Sequence, residues 1–276
     1  MSNEEIHGSD AVAVATSTSP WPAAHRYGLW AAFSGLIVAS IFFALNPRFD
    51  LAVSRHFYSV GLGFPASNNT IDHLARDAFI TMTDGVMISL LAIMAASPFV
   101  KRLQNLNRRM IGFALFTYLM VPGMVVSMIV KPLWGRARPF SVTDFGGTLR
   151  YSAPFQLSNQ CTHACSFVSG ETSALFTCAT LFAVLIIPAL HARIRVPSMV
   201  LLAGLALSGS ALRIIVGGHF LSDVVFSSLI SIALTLLLYR LLSPVLEIAP
   251  VRPLAVPVRQ PQVPDTYLAK ISSSGL

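Results

Sequence analysis

The chain has 276 residues, of which 54% are hydrophobic and only 11% are charged. This composition excludes an ordinary water-soluble domain and indicates a membrane protein that crosses the bilayer several times. The formal net charge of +7 does not indicate a nucleic acid partner, because the basic residues are spread over the flanks of hydrophobic segments, where positive charge reports membrane topology.

Six hydrophobic segments have the length of roughly 20 residues that an α-helix needs to cross a hydrocarbon core. They lie at about 27–46, 78–98, 110–130, 171–190, 197–216 and 224–243. The predicted fold class is therefore all-α, a bundle of six transmembrane helices over residues 27–243. We expect residues 1–26 to form an N-terminal cytoplasmic tail. Residues 244–276 are proline-rich and are predicted to form a C-terminal tail without a packed core.

The second hydrophobic segment is interrupted by Asp84. An acid at such a position is either a buried functional group or the cap of a helix that starts late, and we favour the cap. Residues 47–75 are expected to form a loop on the far side of the membrane, with an amphipathic piece near residues 71–79 that lies on the membrane interface.

The distribution of Lys and Arg predicts the orientation. With a cytoplasmic N-terminus, eleven basic residues lie on the cytoplasmic side and eight on the other side. Four of those eight belong to the polar motifs described below, and the other four are Arg48, Arg55, Arg76 and Arg150. The eleven basic residues on the cytoplasmic side outnumber the four on the other side that lie outside the motifs, which favours this orientation. It places the motifs on the far side of the membrane, which is the periplasm if the protein lies in the inner membrane of a Gram-negative bacterium.

The longest connection between hydrophobic segments runs over residues 131–168, and its length indicates a functional cover rather than a simple link. Near its end, Cys161 and Cys165 bracket three residues. In an oxidising compartment such as the periplasm, two such thiols can form a disulfide that holds the loop beside Ser169. The alternative is two free thiols.

Polar motifs stand at the ends of the hydrophobic segments. Lys131, Arg136 and Arg138 follow the third segment, Ser169, Gly170 and Glu171 open the fourth, and Arg213, His219 and Asp223 lie between the fifth and the sixth. Their cations, together with the N-termini of two helices, are suited to bind a dianion such as a phosphate monoester.

His219 and Asp223 are four residues apart, so they share one face if the sixth helix starts near His219. The carboxylate can then hold one ring nitrogen and leave the other free as a nucleophile. Alternatively, the pair caps the helix or supplies two ligands of a metal ion. Gly217 and Gly218 just before the pair break the helix and let the backbone approach an anion.

In order, the three motifs read Lys-x6-Arg-Pro, Ser-Gly-Glu and Arg-x5-His-x3-Asp. They resemble the type 2 phosphatidic acid phosphatase (PAP2) superfamily of membrane phosphatases. That family usually has histidine where this chain has Glu171, and often serine where it has Leu212. A closer resemblance is to the lipid A 4'-phosphatase branch, in which an acid tends to replace that histidine. It rests on the strings Trp134-Gly-Arg-x-Arg-Pro, Cys161-x3-Cys165-Ser-Phe-Val and Gly217-Gly-His-Phe-x-Ser-Asp-Val-Val-Phe226.

The resemblance covers about residues 27–243 and implies a metal-independent phosphatase without a cofactor, whose active site lies at one membrane face. It implies that His219 attacks phosphorus and becomes phosphohistidine, while Asp223 orients the imidazole. The residues that it assigns to phosphate binding are Lys131, Arg138, Ser169, Gly170 and Arg213. The substrate would be a lipid phosphate in the bilayer, and in the closer branch the phosphate of a lipid A sugar.

Glu171 stands where the wider family has the histidine that protonates the leaving alkoxide. We expect Glu171 to take up a proton when the substrate binds and to act as the general acid, with His163 as the alternative. Arg136 is expected to contact either the phosphate or the headgroup.

Two other functions stay open. The same fold could serve undecaprenyl diphosphate, phosphatidylglycerophosphate or phosphatidic acid as substrate. A function of a different class is a non-catalytic lipid-phosphate binder or transporter, for which the departure at Glu171 is the only support. Intact cations, His219 and Asp223 argue against that third interpretation.

Overall fold

The structure is a computed structural model that describes residues 23–103, 106–162 and 165–248. Within those ranges the fold is all-α, and six helical segments are long and apolar enough to cross a membrane. The predicted six-helix membrane fold is therefore confirmed. His163 and most of the two predicted tails lie outside the described residues.

The described residues form eight α-helices. They are α1 (Ala23–Leu45), α2 (Phe49–Arg55), α3 (Thr70–Ala96), α4 (Arg108–Tyr118), α5 (Lys131–Trp134), α6 (Gly170–Leu185), α7 (Ala192–Ile215) and α8 (Leu221–Leu242). A π-helical stretch, Leu119–Val130, joins α4 to α5. The third membrane span is thus one helical rod of three pieces.

Helix α3 begins earlier than the sequence predicts. Asn69 caps it by accepting a hydrogen bond from the N–H of Ile71 at 2.9 Å. Asp84 lies in the interior of this helix and accepts a hydrogen bond from the hydroxyl of Tyr118 at 2.8 Å. A partner on the neighbouring span is why a carboxylate is tolerated there. Both the late helix start and the separate interfacial piece were wrong predictions.

The third span changes its winding around Pro122. Proline has no N–H to donate within the helix, and a local change to π-helical winding can satisfy the backbone groups that it leaves free in a membrane helix. The hydroxyl of Ser127 donates to the carbonyl of Pro122 at 2.7 Å across this stretch. The α-helical winding resumes at Lys131. The first motif therefore starts directly after the π-helical stretch.

Helices α6 and α8 form the centre of the bundle. They are the most buried of the spans, and α1, α7 and the third span surround them. The hydroxyls of Ser173 and Ser231 meet between them at 2.7 Å, since small polar residues let membrane helices approach closely. Cys178 is a buried free thiol within α6. Ile248 is also buried in this core, so the packed domain extends past the predicted start of the tail at residue 244.

One end of the bundle carries a cap of loops. Helix α2 and the long loop after α5 pack over the start of α8 in a hydrophobic cluster. Its buried members are Leu51, Phe64, Ala137, Val142, Phe145 and Phe220. This cap lies at the same end as the three motifs and holds their backbone in place.

Candidate active site

The three motifs meet at the capped end of the bundle. The N–H of Ser169, at the start of α6, donates to the carbonyl of Asp223 in α8 at 3.2 Å, and the N–H of His219 donates to the carbonyl of Arg213 at 3.0 Å. The Cβ of a side chain added at Gly170 would lie 3.5 Å from Nζ of Lys131. Residues far apart in the chain thus form one site.

His219 and Asp223 face each other in the structure. Nδ1 of His219 lies 3.6 Å from Oδ2 of Asp223, and the two side chains are 2% and 0% exposed. Because α8 begins at Leu221, His219 lies in the turn before the helix rather than on its face. Nδ1 is directed at the carboxylate, so Nε2 is the nitrogen that is left for attack.

The turn before His219 needs its two glycines. Gly217 has φ +68°, and a Cβ there would lie 2.5 Å from the ring of Phe64. A Cβ at Gly218 would lie 2.7 Å from Nη2 of Arg213. Any larger residue would displace Arg213, so the glycines keep the cation next to the imidazole.

The carboxylate of Asp223 has several partners besides His219. Oδ2 accepts hydrogen bonds from the N–H of Phe220 at 2.8 Å and from the hydroxyl of Ser166. Oδ1 accepts from Nη1 of Arg136. The bond from Phe220 caps α8, as one of the alternative interpretations predicted. The same carboxylate therefore starts the helix and orients the imidazole.

Arg136 lies behind the site and not on its surface. Its side chain is 0% exposed, and Nη2 is 2.8 Å from Oδ2 of Asp50. Nε donates to the carbonyl of Ser152 at 2.9 Å, and the guanidinium lies over the ring of Phe220 at 4.3 Å. This burial argues against the predicted contact with phosphate or headgroup. The physical reason is that Arg136 is the counter-charge of two buried carboxylates.

Asp50 is a buried acid of the site that was not predicted from the sequence. Its Oδ1 accepts the N–H of Ser222 at 2.9 Å, and its Oδ2 accepts the hydroxyl of the same residue. Burial raises the pKa of Asp50, while the charge of Arg136 opposes that rise. The sequence offered only a weak signal for Asp50. It is a single acid just past the first membrane span, at the end of the bundle where the motifs lie.

Glu171 is held between two guanidinium groups. Its Oε1 accepts from Nη2 of Arg76 at 2.8 Å, and its Oε2 lies 3.3 Å from Nε of Arg213. This pairing favours the ionised carboxylate. The sequence pattern indicates Arg76 only as a flanking cation, and this contact is not evident from it because the partner is 95 residues away.

The predicted phosphate ligands surround the same space. Lys131 is close enough to Arg138, Arg213 and Glu171 for their charges to interact. Ser169 is fully buried, and its Oγ accepts the N–H of Thr172 at 3.3 Å as the cap of α6. Only the backbone near this helix start is thus suited to contact an anion.

The electrostatics keep His219 neutral. Burial lowers the pKa of His219 to about 4, although the carboxylate of Asp223 acts in the opposite direction. A neutral imidazole has a lone pair on the nitrogen that does not face Asp223. Among the described residues, no group of three or more His, Cys, Asp or Glu side chains is arranged to hold a metal ion, so the metal-ligand interpretation gains no support.

The predicted disulfide is present. Cys161 and Cys165 are bonded, with their Cα atoms 5.5 Å apart. The backbone on either side is tied to the first motif, because the N–H of Cys161 donates to the carbonyl of Gly135 at 3.0 Å and the N–H of Ser166 donates to the carbonyl of Arg136 at 2.8 Å. The bridge thus holds Ser166 next to Asp223.

The chain is similar in sequence to three bacterial proteins named lipid A 4'-phosphatase. The chain is 33% identical over 217 residues to a lipid A 4'-phosphatase of Francisella tularensis subsp. novicida, a match that covers 75% of this chain and 94% of that protein. It is 36% identical over 119 residues to a lipid A 4'-phosphatase of Rhizobium leguminosarum, which covers 43% of this chain and 49% of that protein.

A third relative and a family match extend the comparison. The lipid A 4'-phosphatase of Rhizobium etli is 35% identical over 127 residues, covering 45% of this chain and 46% of that protein. No solved structure matches the chain. The sequence model of the PAP2 superfamily matches residues 111–245, a range that contains all three motifs. The chain therefore belongs to the PAP2 superfamily and is a multi-pass membrane phosphatase.

Proposed function

We propose that this protein hydrolyses the 4'-phosphate monoester of lipid A through a phosphohistidine on His219. The observation that carries the proposal is the environment of the His219 imidazole. The imidazole is neutral, its Nδ1 faces Asp223 at 3.6 Å, and Lys131 and Arg213 lie close enough for their charges to act on it. A nucleophile oriented by a carboxylate and flanked by cations is what transfer of a phosphoryl group requires.

The reaction has two steps. In the first, Nε2 of His219 forms a bond to phosphorus, the bond from phosphorus to the sugar oxygen breaks, and Glu171 gives its proton to that oxygen. In the second, the ionised Glu171 accepts a proton from water, the water oxygen bonds to phosphorus, and the bond to Nε2 breaks. Both side chains thereby regain the protonation state that they had in the substrate complex. Glu171 releases its proton to water when inorganic phosphate leaves.

The site supplies the charge that the phosphoryl group needs. Lys131, Arg138 and Arg213 bind the equatorial oxygens, together with backbone N–H groups at the start of α6. Without substrate, Glu171 shares Arg213. A phosphate dianion competes for that guanidinium and favours protonation of the carboxylate, while Arg76 keeps Glu171 beside the leaving oxygen.

A cavity beside Glu171 fits a lipid substrate. It has a volume of about 280 Å³ and runs from Arg76 and Glu171 towards Asp84 and Tyr118 inside the membrane region. Its lining includes the apolar side chains of Phe79, Ile80, Leu119 and Leu175. An acyl chain can lie there while its headgroup stays at the cations.

The choice of lipid A rests on the relatives. Three proteins named lipid A 4'-phosphatase match the chain, and one of them matches along 94% of its length. No observation favours undecaprenyl diphosphate, phosphatidylglycerophosphate or phosphatidic acid. The site has a nucleophile, its orienting acid and its cations together, so a non-catalytic binder or transporter is disfavoured.

The proposed location is the bacterial inner membrane, with the active site facing the periplasm and the two tails in the cytoplasm. The excess of basic residues at the opposite ends of the helices supports this orientation. The disulfide between Cys161 and Cys165 supports it independently, because such bonds persist on the oxidising side of the membrane.

Phosphate release from a panel of pure lipids tests the proposal. Full-length protein is given lipid A, its 1-phosphate and 4'-phosphate forms, undecaprenyl diphosphate, phosphatidylglycerophosphate and phosphatidic acid. The same lipids without protein define the background. We expect the highest kcat/KM for lipids that carry the 4'-phosphate. A higher value for another lipid would reassign the substrate, and no release from any lipid would support a non-catalytic role.

A further inference from the structure

Three arginines outside the catalytic motifs line one cavity at the capped end of the bundle. Arg48, Arg55 and Arg150 surround a space of about 560 Å³. Arg48 directly precedes α2, Arg55 is its last residue, and Arg150 comes from the long loop after α5. All three are exposed, and none forms an ion pair with another described residue. Asp144 is the one acidic side chain in the lining, so the cavity has a surplus of positive charge.

This cavity is separate from the catalytic site. It shares no lining residue with the cavity beside Glu171. Tyr151 forms part of the wall between it and the catalytic residues, since its ring meets the ring of Phe220 at 5.3 Å. Leu51 in the same wall is buried. Behind them lies Arg136, which has no exposed surface and cannot bridge the two spaces.

The chemistry of the lining indicates the ligand. Guanidinium groups bind phosphate through paired hydrogen bonds, and here three of them face one space. Leu51, Ala52 and the ring of Tyr151 offer apolar surface to the rest of the ligand. Helix α1 ends at Leu45, so Arg48 lies just past the end of a membrane span, at the level of lipid headgroups.

We propose that Arg48, Arg55 and Arg150 form a second binding site, for the phosphate of an anionic lipid headgroup. Two sources share this chemistry. One is a neighbouring phospholipid of the same leaflet, and the other is a second phosphate on the substrate itself, a source that rests on the proposed function.

Lipid retention tests the site without relying on turnover. Full-length wild type and the triple variant Arg48→Gln, Arg55→Gln, Arg150→Gln are placed in phosphatidylcholine nanodiscs with a minor fraction of phosphatidylglycerol. That lipid is a phosphodiester and not a monoester substrate. Native mass spectrometry then counts the phosphatidylglycerol molecules retained. We expect the triple variant to retain about tenfold less, while Arg193→Gln at the opposite end matches wild type.

A second variant, expected to retain more lipid, distinguishes loss of the site from misfolding of the triple variant. Asp144→Asn removes the only negative charge in the lining, so we expect it to retain more phosphatidylglycerol than wild type. If Asp144→Asn and the triple variant both retain as much lipid as wild type, the neighbouring phospholipid is ruled out as the ligand.

Kinetics distinguish the second source. For a lipid substrate with two phosphates, we expect the triple variant to raise KM about tenfold at unchanged kcat, and for the matched lipid with one phosphate we expect no change. A rise of KM for the substrate with two phosphates identifies the substrate's own second phosphate as the ligand. Loss of phosphatidylglycerol retention in the triple variant without that rise of KM identifies a neighbouring phospholipid. If neither assay distinguishes the variants, or if inorganic phosphate binds but no lipid does, the proposal is wrong.

Discussion

Arg136 and Asp223 form a fully buried ion pair, with Nη1 of the arginine 2.5 Å from Oδ1 of the acid, although 87 residues separate them in the chain. Asp50 joins the same guanidinium at 2.8 Å. The acid that orients His219 is thus fixed by the long loop and by α2, and not only by its own helix. The loops of the cap therefore help to position the proposed nucleophile.

Removal of the shared guanidinium should unfold the cap. Arg136→Met leaves the carboxylates of Asp50 and Asp223 buried without their counter-charge, and breaking a buried pair in this way costs about 3–5 kcal/mol. We expect a marked fall of the unfolding temperature in detergent, measured with Arg193→Met as the exposed control. Equal unfolding temperatures for the two variants would show that Arg136 is not structural.

Glu171→Gln should reduce kcat by about 10²–10⁴ with little change in KM, because a sugar alkoxide is a poor leaving group without an acid. The amide keeps the shape of the side chain but has no acidic proton to donate. Rates of phosphate release under saturating lipid measure this effect. His163→Ala serves as the comparison, and its effect should be mild. A near-normal kcat for Glu171→Gln together with a strongly reduced kcat for His163→Ala would make His163 the general acid instead of Glu171.

The buried imidazole predicts a dependence of stability on pH. The pKa of His219 is about 4 in the folded protein, below its ordinary value of 6.5. Between these two values the unfolded chain binds a proton that the folded chain does not, so the stability from this residue is present above pH 6.5 and is lost as the pH falls towards 4. The unfolding temperature should thus fall less on acidification in His219→Ala than in wild type. An identical fall in both proteins would contradict the lowered pKa.

Thiol counting checks the disulfide. The chain has three cysteines, and the structure leaves only Cys178 free among those it describes. Denatured but unreduced protein should react with one equivalent of a thiol reagent, and reduced protein with three. Mass spectrometry of the unreduced digest should find the peptides of Cys161 and Cys165 joined. Three reactive thiols before reduction would mean that the loop is held by its hydrogen bonds alone.

Hydrophobicity and motif spacing predicted the six spans and located their polar ends. The start of α3 was missed because its first turns are polar and contain Asp72, Arg76 and Asp77, which interrupt the apolar pattern. The cap at Asn69 was the signal that could have located it.

The partners of the site residues were harder to predict than the residues themselves. The contacts of Arg136 with Asp50, and of Glu171 with Arg76, join parts of the chain that are 86 and 95 residues apart. No local periodicity encodes such a pair. A motif thus predicts which side chains carry the chemistry, whereas the fold decides which of them face substrate and which lie behind it.

The nucleophile is the central claim, and the turnover number of His219→Ala tests it most directly. The variant is compared with wild type on lipid A 4'-phosphate, and with His191→Ala, an exposed histidine at the opposite end of the bundle. We predict that His219→Ala inserts and folds but releases no phosphate above background, while His191→Ala keeps the wild-type kcat. If a folded His219→Ala protein retained more than a few per cent of the wild-type kcat, a phosphohistidine at this position would be contradicted.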